Sequence, residues 1–178
     1  MKKRKSITHV RRSLMGIIYM TSDQHFGHAN IIEYENRPFT SVDEMNSYMI
    51  EKWNQTVSKK DKVFFLGDLC IPSRLYAEII PLLNGYKIMV MGNHDCLSHK
   101  RYEKAGFEEV SRYPIILNDF YILSHAPLYL SKAMPYVNIH GHSHSKKMVG
   151  ANYYNVCVEL HDYKPVKFDD IKAVFALE

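Results

Sequence analysis

Three short apolar runs rich in β-branched residues, Ile17 to Ser22, Lys62 to Leu66 and Tyr86 to Met91, each end in a polar cluster. Nearly uninterrupted apolar character predicts strands buried on both faces, as in a sheet covered by helices. Between the first two runs, Ser41 and Glu44 stand in capping-box spacing. Met45, Tyr48, Met49 and Trp53 then recur at three- and four-residue intervals, which predicts a helix over 42–56. A second helix is expected from Ser73 to Leu83, with Gly85 just beyond its end. From Glu108 onward the pattern changes. Glu108 to Ser111, Ile115 to Leu117, Phe120 to Ser124, Val137 to His140 and Asn155 to Leu160 read as short strands separated by turn residues, so pairing of neighbours is the simplest outcome. A last helix is expected over 168–175. Strands alternating with helices give an α/β organisation.

A length of 178 residues suits one core, so 15–178 reads as a single domain preceded by a flexible tail over 1–14. With 46% hydrophobic and 24% charged residues the chain lies well inside the folding range. The formal charge of +4 would suggest a polyanionic partner, but Lys2, Lys3, Arg4, Lys5, Arg11 and Arg12 all lie in the tail. Without those six the 23 basic residues fall to 17 against 19 acidic ones, and the body carries −2. Any contact of the tail with nucleic acid would be weak and would weaken further with salt. The apolar run Leu14 to Met20 is too short to span a bilayer and lacks a small-residue cleavage site, so no membrane association is expected and Met15 offers an alternative translation start. Cys70, Cys96 and Cys157 are odd in number and widely spaced, which suits a reducing cytoplasmic compartment.

The chemistry is concentrated where strands end. Asp23-Gln24-His25 follows the first, Gly67-Asp68 the second, Gly92-Asn93-His94-Asp95 the third, Ser124-His125 a fourth, and Gly141-His142-Ser143-His144 a fifth. In α/β sheets, ligands bind beyond the carboxyl ends of strands, so five clusters should converge. Two Asp, one Asn and four His supply oxygen and nitrogen donors without thiolate, a set suited to Mn, Fe or Zn. In extended backbone, Asp23 and His25 share a face, as do His142 and His144, so each pair can reach one cation or two adjacent ones. Seven ligands are too many for one tetrahedral ion, and two divalent ions use them all. Gly67, Gly92 and Gly141 allow sharp turns that aim the next side chain. His9, His99 and His161 lack such context, and His140, which immediately precedes the last cluster, is left out.

These clusters, in this order and spacing over residues 17 to 144, resemble the calcineurin-like metallophosphoesterase superfamily. The resemblance implies a four-layer α/β/β/α sandwich with two mixed β-sheets. It implies a first metal held by Asp23, His25, Asp68 and His144, and a second by Asp68, Asn93, His125 and His142, with Asp68 bridging. It further implies that His94 contacts the phosphate and protonates the leaving oxygen, with Asp95 orienting it. Manganese is the expected cation, with Fe, Zn, Ni or Co as alternatives. Two cations roughly 3.5 to 4 Å apart neutralise phosphoryl oxygens and provide a bridging hydroxide at neutral pH. A cationic His donates a proton near pH 7.

The stretch from Asp23 to Ile32 also resembles a subset of small bacterial and phage phosphoesterases with a second His after the Asp-x-His. His28 and Arg37 are therefore candidates for binding non-bridging oxygens of a second phosphate or nucleotide group. Cys70 and Cys96 read as packing residues. The expected activity is phosphate-ester hydrolysis of a small phosphorylated substrate, with a nucleotide or oligonucleotide among the candidates. The absence of sequence for a cap domain favours a phosphodiester. A phosphomonoesterase remains the alternative, and a non-catalytic scaffold would show gaps in the motifs. A nuclease would be expected to carry extra basic and aromatic surface, which the near-neutral body does not suggest.

Overall fold

Strand alternation sorts the apolar runs into two cores. In the computed structural model, which describes residues 16–146, 148 and 150–175, the first three strands are β1 (Ile18–Thr21), β2 (Lys62–Phe65) and β3 (Tyr86–Val90). Tyr19, Val63, Phe65 and Met89 point to one face, where Met45, Met49 and Trp53 of a helix cover them. Met20, Phe64, Ile88 and Val90 point to the other, against Leu123, Val137, Ile139 and Val156. A strand buried on both faces needs no polar side, which is why these runs read as continuously apolar. The basic tail, Met15 and His9 lie outside the described residues.

The first sheet has the order β4-β3-β2-β1-β9, with β4 at Glu109–Ser111 and β9 at Val166–Lys167. Strands β1 to β4 run parallel, and β9 joins β1 antiparallel. The second sheet orders β5 (Ile115–Leu117), β6 (Tyr121–Ser124), β7 (Val137–His140) and β8 (Tyr153–Asn155) in sequence, antiparallel at β5–β6 and parallel thereafter. The result is an α/β fold of two mixed sheets with helices around them. Parallel pairing places the carboxyl ends of β1, β2 and β3 along one edge. It also sets Ser124 opposite His140, so that the chain leaves β6 and β7 side by side.

The helices are α1 (Asn30–Tyr34), α2 (Val42–Thr56), α3 (Tyr76–Ile79), α4 (His99–Ala105) and α5 (Phe168–Val174). Helix α2 begins as its spacing predicts, with Ser41 Oγ accepting from the Glu44 amide at 3.1 Å. Glu44 reaches back one residue further than a capping box requires and accepts from the Thr40 amide at 2.7 Å. The continuous helix expected over 73–83 is instead a 3-10 turn (Ser73–Leu75), α3, and a second 3-10 turn (Ile80–Leu82). Pro81 has no amide hydrogen to donate one turn back, so the α-helix stops before it. The strand expected over 155–160 is likewise displaced: β8 ends at Asn155, whose Oδ1 accepts from the Cys157 amide at 2.9 Å, an isolated bridge joins Cys157 to Ser22, and a 3-10 turn follows over Val158–Leu160. Helix α4 and the two-residue β9 were not expected. No helix among the described residues is long and apolar enough to cross a membrane.

Trp53 ties α2 to the sheet. It is buried, stacks on Phe65 at 4.9 Å between ring centroids, and donates Nε1–H to the Asn84 carbonyl at 2.9 Å. Trp53→Ala should lower unfolding stability by about 3–5 kcal/mol, through the cavity and the orphaned carbonyl together. Urea titration followed by circular dichroism measures this, since the only Trp is removed.

Candidate metal centre

Five of the seven expected ligands sit in an unusual backbone region. Asp23, His25, Asp68, His142 and His144 all have φ between 47° and 67°. L-residues adopt this left-handed conformation at a cost of order 1–3 kcal/mol each, and it persists only where the surroundings impose it. The expected reason for the pairing of Asp23 with His25, and of His142 with His144, was extended alternation. The chain has instead left the sheet at these points, and left-handed turns swing both members of each pair inward.

Close approach of backbone explains two glycines better than turn geometry does. A Cβ on Gly141 would collide with Ser22 Oγ and Asp23 Oδ2, and one on Gly92 would collide with Asp68 Oδ1. Each glycine lets a loop lie directly against a site carboxylate. The Asp23 carboxylate is held firmly. Its Oδ2 accepts from Ser22 Oγ, from the His142 amide at 2.8 Å and from Cys157 Sγ at 3.2 Å. Asp68 Oδ1 accepts from the His94 amide at 2.9 Å.

The ligand atoms gather in two overlapping sets. Asp23, His25 and His144 form one and Asp23, Asp68 and His125 the other, each with its donor atoms within 4.8 Å of one another. His25 Nε2 and His144 Nε2 stand 3.8 and 3.9 Å from Asp23 Oδ1, too far to bond it and close enough to share a cation with it. Asn93 Oδ1 and His142 Nδ1 approach His125 Nε2 at 2.8 and 3.1 Å, joining the second set. The carboxylate common to both sets is Asp23, whereas Asp68 was expected to bridge. The His94 amide occupies Asp68 Oδ1, and Oδ2 lies 3.4 Å from His125 Nε2.

The donor set fits divalent cations. Among the described residues, Asp23 Oδ1 and both ring nitrogens of His25 are buried without any hydrogen-bond partner. Burying such groups is costly unless something binds them, and a cation is what this oxygen and these nitrogens share as a partner. Burial raises the pKa of Asp23, but the neighbouring His25 imidazole, the charges of His125 and His144 and the Ser22 hydroxyl outweigh it, and the carboxyl titrates well below its usual range. Burial also disfavours charge on His125. Asp68, Asp23 and the Leu66 carbonyl prevail, and its imidazole is pushed up to about 9.

Two residues behind the ligands escaped the motifs. Glu159 Oε1 accepts from His144 Nδ1 at 2.9 Å, and His125 Nδ1 donates to the Leu66 carbonyl at 2.7 Å. Both bonds turn the opposite nitrogen, Nε2, toward the centre. Arg37 lies beneath this arrangement. Expected to meet substrate, its side chain is fully buried. It donates to the carbonyls of Asp23 and Gln24 at 2.8 Å each and to Glu159 Oε1, so its fork is already occupied. Cys157 is the other omission, a buried thiol on Asp23. Neither Glu159 nor Cys157 lies in a recognisable spacing. Both lie inside the run expected as a strand over 155–160, which gave no sign of a role at the site.

His94 and His28 flank His25, with ring centroids 5.7 and 5.5 Å from it. His94 is exposed and His28 half-buried. Asp95 does not orient the His94 ring. It is buried and accepts from the amides of Asp68 (2.8 Å) and Gly92 (2.7 Å) and from the Tyr76 hydroxyl, so that it braces two ligand loops together. Cys96 is exposed, not packed, while Cys70 is buried as expected.

Residues 17–173 match the family model for calcineurin-like phosphoesterases. An uncharacterized protein of Methanocaldococcus jannaschii is 39% identical over 164 residues, which cover 85% of this chain and 87% of the relative. The Gene 66 protein of Mycobacterium phage D29 is 35% identical over 95 residues, 51% of this chain and 46% of its own length. Among solved structures, the protein of unknown function AQ665 from Aquifex aeolicus aligns with a TM-score of 0.69 at 26% identity, covering 89% of this chain and 99% of that one.

Two outcomes follow from this geometry. With His125 held protonated up to about pH 9, a cation must displace its proton, so metal uptake by stripped protein should release at least one proton below that pH. Affinity should then fall by about tenfold per unit as pH drops from 9 toward 6, measurable by calorimetry in buffers of different ionisation enthalpy. Glu159→Gln should weaken metal affinity by about 10–100-fold while the fold remains intact by circular dichroism, because the His144 ring loses its anionic anchor.

Proposed function

Because the chain belongs to the calcineurin-like phosphoesterase family, we propose that this metal-dependent phosphoesterase hydrolyses phosphodiesters or nucleotide-like substrates using two divalent cations, manganese foremost. The observation that carries the reading is the set of orphaned buried atoms at the convergence of five strand ends, Asp23 Oδ1 and the two nitrogens of His25. Asp23, His25 and His144 would hold one cation, and Asp68, Asn93, His125 and His142 would complete the other, with a carboxylate shared between them. Such a pair neutralises phosphoryl oxygens and lowers the pKa of water, so that a nucleophile exists at neutral pH.

The chain's own residues do the rest. His94 stands exposed beside His25, where an imidazolium can deliver a proton to the departing oxygen; its backbone amide on Asp68 Oδ1 fixes the loop that presents it. Asp95 supports that loop from below, acting on position and not on the ring. Arg37 and Glu159 fix the Asp23–Gln24 backbone and the His144 ring as one rigid unit. His28, with a buried Nδ1 that has no partner, is placed to receive a substrate oxygen next to the centre. No side-chain nucleophile is required, so no covalent intermediate is expected. A cytoplasmic location accords with three free cysteines.

The test is hydrolysis of bis-p-nitrophenyl phosphate and p-nitrophenyl phosphate by metal-stripped protein resupplied with Mn²⁺, against the same protein with chelator. Faster metal-dependent turnover of the diester is expected, and a monoester preference would replace this reading with a phosphatase. Asp68→Ala should lose both metal and activity. His94→Ala should retain metal while kcat falls by about 10²–10⁴-fold, and retained turnover in both variants would sink the mechanism.

A further inference from the structure

Beside the centre, Asn93 and His125 form one end of a cleft of about 260 Å³ whose other walls include Arg112, Pro114 and Leu128. Two ligands of the candidate centre therefore open directly onto it. Arg112 is exposed and makes no ion pair with any of the described residues. It contrasts with Arg37, whose fork is occupied on every side. An unpaired guanidinium at the wall of a reaction cleft is suited to planar, two-pronged recognition of phosphate oxygens.

The neighbours of these wall residues are equally uneven. Tyr113 follows Arg112 and is 77% exposed; Tyr129 follows Leu128 and is 88% exposed. They are the two most exposed of the chain's exposed large hydrophobic side chains. Each is next in sequence to a residue of the cleft wall, and an aromatic ring left in water carries an apolar face that a flat ligand can cover. An exposed arginine on the cleft wall, two exposed tyrosines at positions adjacent to that wall, and two ligands of the candidate centre lining the same cleft match the repeating chemistry of a nucleic acid strand.

The geometry points to the cleft as the seat of the nucleotides that flank the scissile bond in a single-stranded nucleic acid. Arg112 pairs with a phosphate adjacent to the one being cleaved, and Tyr113 and Tyr129 stack on bases. This rests on the phosphodiesterase reading above and names its substrate class. Hydrolysis adds one water across one P–O bond, leaving a phosphomonoester terminus and a hydroxyl terminus. The net charge of −2 on the body had argued against such a substrate, but a charge sum does not register where a single unpaired arginine stands. One cation supports a short single strand and does not supply the row of phosphate contacts that a duplex needs.

The experiment measures binding and turnover separately on the Mn²⁺-loaded protein. Binding is read by fluorescence anisotropy with a labelled, hydrolysis-resistant phosphorothioate oligothymidylate, and turnover with bis-p-nitrophenyl phosphate. Arg112→Ala and Tyr129→Ala should each weaken oligonucleotide binding by about fivefold or more. Arg112→Ala should also flatten the dependence of binding on salt by a slope of about 0.7. Both variants should lose several-fold less in kcat/KM for the small diester than in oligonucleotide binding. Variants that bind the strand as tightly as wild type, or that lose the small diester in proportion, overturn the inference. Wild-type turnover of the small diester without strand binding defeats this inference alone, whereas strand binding without any diester turnover defeats the phosphodiesterase reading and leaves the cleft standing.

Discussion

Asp23 is fully buried, with one carboxylate oxygen bound by three donors and the other without a partner among them. A charge removed from water in this way is tolerated only where the protein supplies a matching charge, and beside it stand the imidazoles of His144 and of His25, the latter with both nitrogens unsatisfied among the described residues. The surrounding architecture serves that arrangement. The His142 amide and the Ser22 hydroxyl reach Asp23 because Gly141 permits backbone contact, and Arg37 secures the carbonyls of Asp23 and Gln24 from beneath. Removing any one of these would leave a buried charge less compensated, so the site and the packing around it are not separable properties.

The left-handed ligand residues belong to the same constraint. Each is individually unfavourable, and together they hold side chains from two sheets at distances that ordinary strand geometry does not produce. What offsets them is a second layer of fixed partners: Asp95 across the Asp68 and Gly92 amides, Glu159 on His144, and the Leu66 carbonyl on His125. Rigid support of this kind is what lets a reaction centre keep its geometry through turnover.

The five motifs were legible in the sequence because their residue types are rare, ordered and tied to strand ends. The sheets were legible because burial on both faces leaves no polar positions in Val63 to Leu66 or Ile88 to Met91. Other features left no local trace. Helix α4 is polar on most of its surface, β9 has only two residues, and the break at Pro81 interrupts a pattern that is otherwise helical. Glu159 reaches Arg37, and Cys157 reaches Asp23, across more than a hundred positions, and Asp95, adjacent to His94 in sequence, binds the Asp68 and Gly92 amides and the Tyr76 hydroxyl. Spacing shows which residues can share a face. It does not show which partner a buried carboxylate will choose when several amides compete for it.

The bond from the His142 amide to Asp23 spans 119 positions. Closing a loop of that length costs little more at equilibrium than closing one of half the length, but long-range closures are late and slow events in folding. Asp23 and His25 leave the ribosome early, and they lack their companions until the second sheet has been made and docked. The centre is therefore assembled last, from pieces that no partial fold contains together. A chain that lacks either sheet lacks part of the candidate centre, and the full ligand set exists only where both sheets have met.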